Sequence, residues 1–313
     1  LIKGLQGLEY RGYYSAGIAL ITDDNNSIVT YKQAGKVSDL LEFVGDNDTN
    51  GSIGIGHTRW ATHGPPNQIN SHPHSSSDGS FSLIHNGIIE NYSSLKKVLE
   101  EKGYVFKSDT DSEVLMYLIE CVYKTQLKES QDVCGDLLYD SIRIALNEVV
   151  GAYAIVVIDK NNPEEFYAAR KGSPLVIGIG NNEYFVASDA SPIIEYTDKV
   201  IYLKDEEVAR LNKNQEVEIK TIDNKKKSPD IQKLEQSIES IEKGGYDHFM
   251  LKEIFEQPKS IIDTLRGRIN PKTNDIVLGG VKDHESKIIN ADRLIIIACG
   301  TSWHAGLIGE YLI

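Results

Sequence analysis

The sequence has few cysteines and no long apolar run, and both absences narrow the class of protein. Its three cysteines, Cys121, Cys134 and Cys299, are odd in number and far apart, which excludes a disulfide framework and a CxxC metal knuckle. The longest apolar run, residues 294–299, is far shorter than the roughly 20 residues of a membrane-spanning helix. No signal-peptide segment opens the chain. We therefore expect a cytoplasmic protein in a reducing environment, with no contact to a membrane.

Positive charge is also scarce, because 33 Lys and Arg residues face 46 Asp and Glu residues, for a net charge of −13. Such a balance repels nucleic-acid backbones and anionic membrane surfaces, so neither is expected as a partner. The length of 313 residues suggests one large domain or about two ordinary ones.

Periodicity predicts strands at both ends of residues 1–223 and consecutive helices between them. The predicted helices cover residues 94–102, 114–122 and 136–149, and short apolar segments at 152–158, 166–169, 175–179, 184–187, 200–203 and 208–211 read as strands. This order favours an α+β layered sandwich over a doubly wound parallel sheet.

A polar, charged segment at residues 224–245 is the best candidate for a linker to a second domain, residues 246–313. In that second part we expect a helix over 250–262, kinked or interrupted by Pro258. A strand at 293–299, a Gly-Thr-Ser turn and a helix from His304 would form one βα unit of an α/β domain. We also expect residues to precede Leu1 and the second domain to continue beyond the last residue.

Five of the eight histidines fall within residues 57–85, a segment that also contains Arg59. Metal binding is the less favoured interpretation, because the spacings match no helix-borne or knuckle pattern, and imidazoles satisfied by local hydrogen bonds are favoured instead. Arg59 offers a planar guanidinium for a carboxylate, with Thr58 and Thr62 as hydroxyl donors, but an ordinary surface arginine in a turn fits equally well.

Asn86 and Gly87 follow a predicted strand at 81–84 and could together donate to an oxyanion, as acyl transfer requires. A type I′ turn is the favoured local interpretation of Asn-Gly, and helix capping is the ordinary role of Asp111. No residue is a convincing nucleophile, since there is no GxSxG elbow and neither Cys121 nor Cys134 has a suitable setting. Residues 300–302 resemble a phosphate cradle, which alone is a weak signal.

Taken together, five motifs in order resemble the glutamine–fructose-6-phosphate aminotransferase family, also called glucosamine-6-phosphate synthases. The motifs are LEYRGY at 8–13, HTRWATHG at 57–64, HNGIIEN at 85–91, TDSE at 110–113 and ACGTS at 298–302. The resemblance implies a class II glutamine amidotransferase domain of the N-terminal-nucleophile type in residues 1–223, a four-layer αββα sandwich lacking its N-terminal strand. It further implies a linker at 224–245 and the start of a sugar-isomerase (SIS) domain at 246–313.

The family's chemistry implies that glutamine is hydrolysed and that its ammonia passes to fructose 6-phosphate, giving glucosamine 6-phosphate and glutamate, without metal or cofactor. A homodimer formed through the isomerase domain is expected. By the same resemblance Arg59 holds the glutamine α-carboxylate, Asp111 holds its α-amino group, and Asn86 and Gly87 form the oxyanion hole. The other residues implied at the sites are Thr62 and His63 in the glutamine pocket, Arg11 beside the nucleophile, Trp60 as the channel gate, and Thr301 and Ser302 at the sugar phosphate.

The sequence also departs from the family pattern. The family's nucleophile is an N-terminal cysteine, whereas position 1 here is Leu1, so the chain as written is not expected to hydrolyse glutamine. Tyr14 replaces the usual aspartate of the RGYDSAG stretch, and Trp303 and His304 differ from the commoner residues. Two alternatives stay open: another amidotransferase of this type, such as an amidophosphoribosyltransferase or an asparagine synthetase, and a non-catalytic module that senses glutamine or a sugar phosphate.

Overall fold

The structure is a computed structural model that describes residues 1–9, 12–24, 26–47, 49–60, 64–129, 137–234, 246–265, 269, 276 and 284–312. It divides into two compact units, Leu1–Ile241 and Glu242–Ile313. None of the helices among these residues is long and apolar enough to cross a membrane.

The first unit has strands at both ends and three consecutive helices between them, as predicted, and a further helix at Val37–Val44 that was not predicted. Its strands are β1 (Ser15–Thr22), β2 (Ile28–Ala34), β3 (Gly51–Arg59), β4 (His74–Ser75), β5 (Phe81–Ile89), β6 (Gly151–Asp159), β7 (Glu165–Lys171), β8 (Val176–Ile179), β9 (Tyr184–Ala187), β10 (Lys199–Tyr202), β11 (Glu207–Asn212), β12 (Glu218–Thr221), β13 (Lys226–Lys227) and β14 (Ile231–Lys233). Its helices are α1 (Ile2–Leu8), α2 (Val37–Val44), α3 (Tyr92–Glu101), α4 (Asp111–Glu129) and α5 (Leu137–Asn147).

Three sheets organise these strands, in the orders β2-β1-β3, β14-β10-β8-β9 and β13-β12-β11-β7-β6-β5-β4. Successive side chains of a strand point to opposite sides of a sheet. In the seven-stranded sheet both sets are apolar, so both faces are buried. In β6, Tyr153, Ile155 and Val157 pack with helices α3, α4 and α5, whereas Ala154 and Val156 pack against the two smaller sheets. Each face therefore has its own buried core.

Helices α1 and α2 cover the outer face of β1, where Leu5 and Leu40 bury Ile18 and Leu20. The layers thus run from helices α3–α5 to the large sheet, then to the two smaller sheets and finally to helices α1 and α2. The predicted α+β, four-layer αββα sandwich is confirmed.

The first unit extends into the segment that the sequence analysis assigned to a linker. Strand β13 pairs with β12, and β14 pairs with β10, so residues 226–233 belong to the sheets. Two lysines of the charged run, Lys226 and Lys227, form the exposed edge strand β13, and edge strands tolerate lysine, which explains why the run resembles a linker in the sequence.

The second unit contains α6 (Phe249–Leu265), α7 (Glu285–Ile289) and α8 (Thr301–Leu312). Helix α6 continues through Pro258, so the predicted interruption does not occur. Residues 294–299 form no strand, contrary to the prediction, because the described part of this unit offers no neighbouring strand to complete the backbone hydrogen bonds. Gly300, at φ +62°, makes the predicted turn into α8.

Candidate active site

A cavity of about 920 Å³ opens in the first unit, between the large sheet and the smaller ones. Five of the residues that the family resemblance singled out line it: Arg59, Trp60, Asn86, Gly87 and Asp111. The predicted residues Arg11, Thr62 and His63 lie outside the described part of the chain. Thr301 and Ser302 are exposed in the second unit, at the start of α8.

Arg59 is the last residue of β3, and it is buried, which contradicts the alternative of an ordinary surface arginine. Its Nη1 donates to the carbonyl of Pro65 at 3.2 Å and its Nη2 donates to the carbonyl of Gly64 at 3.4 Å. Burial lowers the pKa of Arg59, and the negative charge of Asp111 opposes that shift. The guanidinium and this carboxylate therefore face a common, poorly solvated space.

Asp111 is the first residue of α4 and is also buried. Its Oδ2 accepts a hydrogen bond from the backbone N–H of Ile89 at 2.8 Å. Capping of the helix is performed by the preceding residue, because Thr110 Oγ1 accepts from the backbone N–H of Glu113 at 3.3 Å. The local alternative, in which Asp111 serves as the helix cap, therefore does not hold.

Asn86 and Gly87 lie inside β5, paired with Ala154 and Tyr153 of β6, and so they do not form the type I′ turn that the dipeptide favours locally. Gly87 has φ +142°, and a Cβ placed there would lie 2.0 Å from the carbonyl oxygen of Ala152. Only glycine fits this position. Asn86 is exposed to the cavity, so both groups of the predicted oxyanion hole line the same pocket as Arg59 and Asp111.

Three buried histidines, His72, His74 and His85, lie close to the partly exposed His57, and all of them except His74 line the cavity. Burial lowers the pKa of His57 to about 4 and holds the pKa values of His72 and His74 well below the usual range. Local hydrogen bonds join them to Asn86, Ser112 and Thr110. Within the part of the chain that the structure describes, no group of three or more His, Cys, Asp or Glu residues could hold a metal ion.

Lys32 was not identified from the sequence, although this residue of β2 reaches the loop that follows Arg59. Its Nζ donates to the carbonyl oxygens of Ile69 and Pro73, each at 3.3 Å, and its own carbonyl accepts from Gln68 Nε2 at 2.8 Å. Burial lowers its pKa to about 8. These contacts join residues more than 35 positions apart, and no local pattern in the sequence signals them.

Trp60 is half exposed at the rim of the cavity and contacts two tyrosines. Ring centroids lie 5.6 Å apart for Tyr13 and Trp60, and 5.3 Å apart for Tyr14 and Trp60, both with edge-to-face geometry. Tyr14, which stands where the family pattern has aspartate, therefore packs on the residue that the resemblance identifies as the gate.

Comparisons with known proteins identify the family of this fold. Residues 57–195 match the family model of a glutamine amidotransferase domain. Among solved structures, a glutamine phosphoribosylpyrophosphate amidotransferase from B. subtilis, complexed with ADP and GMP, is similar with a TM-score of 0.58 and 26% identity. The match covers 71% of this chain and 46% of that one. The family match and the fold together show that the first unit contains a glutamine amidotransferase domain of the N-terminal-nucleophile type.

Curated relatives show which group of amidotransferases the chain is similar to. The chain is 56% identical over all 313 residues to the glutamine–fructose-6-phosphate aminotransferase [isomerizing] of Bacteroides thetaiotaomicron and covers 50% of it. The corresponding protein of Chlorobaculum tepidum is 50% identical, with 50% of its length covered. The chain is therefore related along its whole length to the glutamine–fructose-6-phosphate aminotransferases, which confirms the resemblance seen in the sequence. It spans about half the length of these relatives.

Proposed function

We propose that the first unit binds glutamine and stabilises the attack on its side-chain amide, as part of an enzyme that transfers the released ammonia to fructose 6-phosphate. The products are glutamate and glucosamine 6-phosphate. The observation that carries the proposal is one cavity lined by a guanidinium, a carboxylate and an Asn-Gly pair. The relatedness of the whole chain to named aminotransferases, including the part after residue 245, supports the sugar-phosphate acceptor over the other amidotransferase chemistries.

In this proposal the two charged residues hold the amino-acid head group. The planar guanidinium of Arg59 binds the α-carboxylate, and the carboxylate of Asp111 binds the α-ammonium. Both side chains are buried, so each attraction acts in a poorly solvated space and is stronger than it would be in water. The head group is then fixed at one end of the pocket, and the amide extends toward β5.

The Asn-Gly pair serves the reacting end of glutamine. The amide nitrogen of Asn86 and the backbone N–H of Gly87 donate to the oxyanion that forms when the amide carbonyl is attacked. The forced φ of Gly87 orients its peptide group, so this donor needs no rearrangement during the reaction. We assign the role of nucleophile to none of the described residues of this chain, because neither of the described cysteines, Cys121 and Cys299, lines the cavity.

Several roles remain predictions that follow from the family resemblance. Thr62 and His63 would line the glutamine pocket and Arg11 would lie beside the nucleophile. Thr301 and Ser302 would bind the sugar phosphate. A homodimer formed through the isomerase domain and a cytoplasmic location are proposed on the same ground, as is the sugar-isomerase identity of residues 246–313.

Calorimetric titration of the 313-residue chain tests the binding step without requiring turnover. We expect L-glutamine to bind, and we expect its analogues lacking the α-amino or the α-carboxylate group to bind at least tenfold more weakly, because each loses one charged partner. Glutaramate and 4-aminobutanamide are suitable probes. Equal binding of glutamine and both analogues would refute the assignment of Arg59 and Asp111.

A further inference from the structure

The orientation of the Asn86 side chain decides whether this residue can serve an oxyanion. A primary amide carries two donors on Nδ2 and an acceptor on Oδ1, and only the Nδ2 end stabilises negative charge. The terminal torsion of asparagine is broad, so strand geometry alone does not select one end. A donor that must act without reorganisation therefore needs a partner that fixes the amide.

His57 supplies such a partner from the facing sheet. Its Nε2 lies 2.8 Å from Oδ1 of Asn86. Because Oδ1 is only an acceptor, Nε2 carries the proton in this contact. The planar amide then places its two Nδ2 donors on the side away from the imidazole, available to a molecule in the cavity.

The imidazole of His57 is itself held in place. It stacks on the ring of His72, with centroids 4.2 Å apart and planes inclined by 27°. Nδ1 of His72 accepts from the backbone N–H of His85 at 3.3 Å, and its Nε2 contacts Ser112 Oγ at 3.4 Å. His85 directly precedes Asn86 in β5. The strand that carries the amide of Asn86 therefore also holds the ring of His72, on which His57 stacks.

The electrostatic surroundings keep His57 neutral. Its pKa is lowered to about 4, mainly by burial and also by the nearby His85 and Arg59, whereas the hydrogen bond to Asn86 opposes these effects. At neutral pH the ring therefore has one N–H group, which the bond to Oδ1 requires at Nε2.

We propose that His57 is a positioning residue for the oxyanion hole, whose Nε2–H holds Oδ1 of Asn86 and thereby turns Nδ2 toward the scissile amide of glutamine. The inference rests on the proposed function, since it requires Asn86 to act as an oxyanion donor. His57 itself does not touch the substrate in this scheme. Its effect appears in turnover rather than in glutamine binding.

Two substitutions at this position separate positioning from simple packing. Glutamine places its Nε2 donors where the imidazole has Nε2, whereas asparagine is too short to reach Asn86. In the natural full-length protein that contains this sequence, we expect His57→Asn to lower kcat about 10- to 100-fold, as for other supporting partners. The KM for glutamine should stay within about threefold, because the transition state alone uses the oxyanion donor. His57→Gln should retain kcat within about threefold.

A double-mutant cycle with Asn86→Ala distinguishes failure of the inference from failure of the proposed function. Asn86→Ala should cost about 10²- to 10³-fold in kcat. In the Asn86→Ala variant, the additional substitution His57→Asn should not lower kcat any further. If Asn86→Ala retains normal kcat, the proposed oxyanion role fails. If Asn86→Ala is impaired but His57→Asn is not, or if His57→Asn is equally harmful without Asn86, the positioning role alone is wrong.

The protonation state of the ring gives a test that needs no catalysis. Long-range proton–nitrogen correlation spectra of the 313-residue chain report which imidazole nitrogen carries the proton. We expect the Nε2–H form for His57 at pH 7, and its conversion in Asn86→Ala to a mixture of the two tautomers. A stable Nδ1–H form in the unsubstituted chain would mean that Nε2 accepts from the amide, with Nδ2 turned away from the cavity, and would overturn the inference.

Discussion

Acidification should destabilise the first unit through its histidines, and His57 provides the magnitude. The pKa of His57 falls from 6.5 in the unfolded chain to about 4 in the folded one. Above pH 6.5 the ring is neutral in both the folded and the unfolded chain, so it does not make the free energy of unfolding depend on pH. Between pH 6.5 and 4 the unfolded chain takes up a proton that the folded chain does not, so the free energy of unfolding falls as the pH falls.

The expected loss in the free energy of unfolding follows from the difference between the two pKa values of His57, 6.5 in the unfolded chain and about 4 in the folded one. At about 1.4 kcal/mol per unit, the loss at pH 4 is at most about 3 kcal/mol for this one group. His72 and His74 act in the same direction, because their pKa values are lowered as well. Asp159 acts in the opposite direction, since burial raises its pKa to about 6 and its protonation in the folded state adds stability below that pH.

Comparison of the unsubstituted chain with His57→Gln isolates the contribution of one ring from the other groups. Urea unfolding, followed by circular dichroism at several pH values from 7 to 4, gives the free energy of unfolding of each chain. We expect the difference between the two chains to change by about 2–3 kcal/mol over this range, in favour of the variant at low pH. Two parallel pH profiles would refute the conclusion that His57 is held neutral by its surroundings.

Two further substitutions test the pocket. Arg59→Ala should weaken glutamine binding to the 313-residue chain by about 2–5 kcal/mol, because a poorly solvated carboxylate loses its partner, and an unchanged calorimetric Kd would remove Arg59 from the site. Gly87→Ala should lower the free energy of unfolding by about 1–3 kcal/mol, because its Cβ meets the carbonyl of Ala152 at 2.0 Å. Gly7→Ala is the matched control, because a Cβ there meets nothing within 4 Å. Replacing this helical glycine should raise the free energy of unfolding by about 0.5–1 kcal/mol. If both alanine variants shift stability by the same amount in urea unfolding, the steric argument for Gly87 is wrong.

The strand and helix order of the first unit was largely predictable from periodicity. The pattern 114–122, for example, lies within α4, and the apolar segment 152–158 lies within β6. Local propensity was less informative where tertiary contacts decide the outcome. Asn86-Gly87 favours a turn by itself, but pairing with β6 along nine residues keeps the dipeptide within a strand.

The pocket was predictable only through the order of its motifs. Spacing alone left Arg59 and Asp111 with ordinary alternatives, because nothing local indicates that β3, β5 and the start of α4 converge. The contacts of Lys32 and His57 depend on the packing of separate strands and had no sequence signal. The strand predicted over 293–299 failed for the converse reason, since an apolar run forms a strand only where a neighbouring strand accepts its hydrogen bonds.

In the proposed function, the layered construction makes glutamine binding depend on the distance between two sheets. Arg59 belongs to the sheet of β1–β3, whereas Asn86 belongs to the large sheet, and between these sheets lie small side chains such as Ala19, Ala154 and Ala168. In the proposed function, the volume of these alanines helps to set the distance between Arg59, which holds the head group, and the oxyanion donors of Asn86 and Gly87. We therefore expect substitutions deep in this layer, remote from the bound molecule, to change which length of amino-acid side chain the pocket binds.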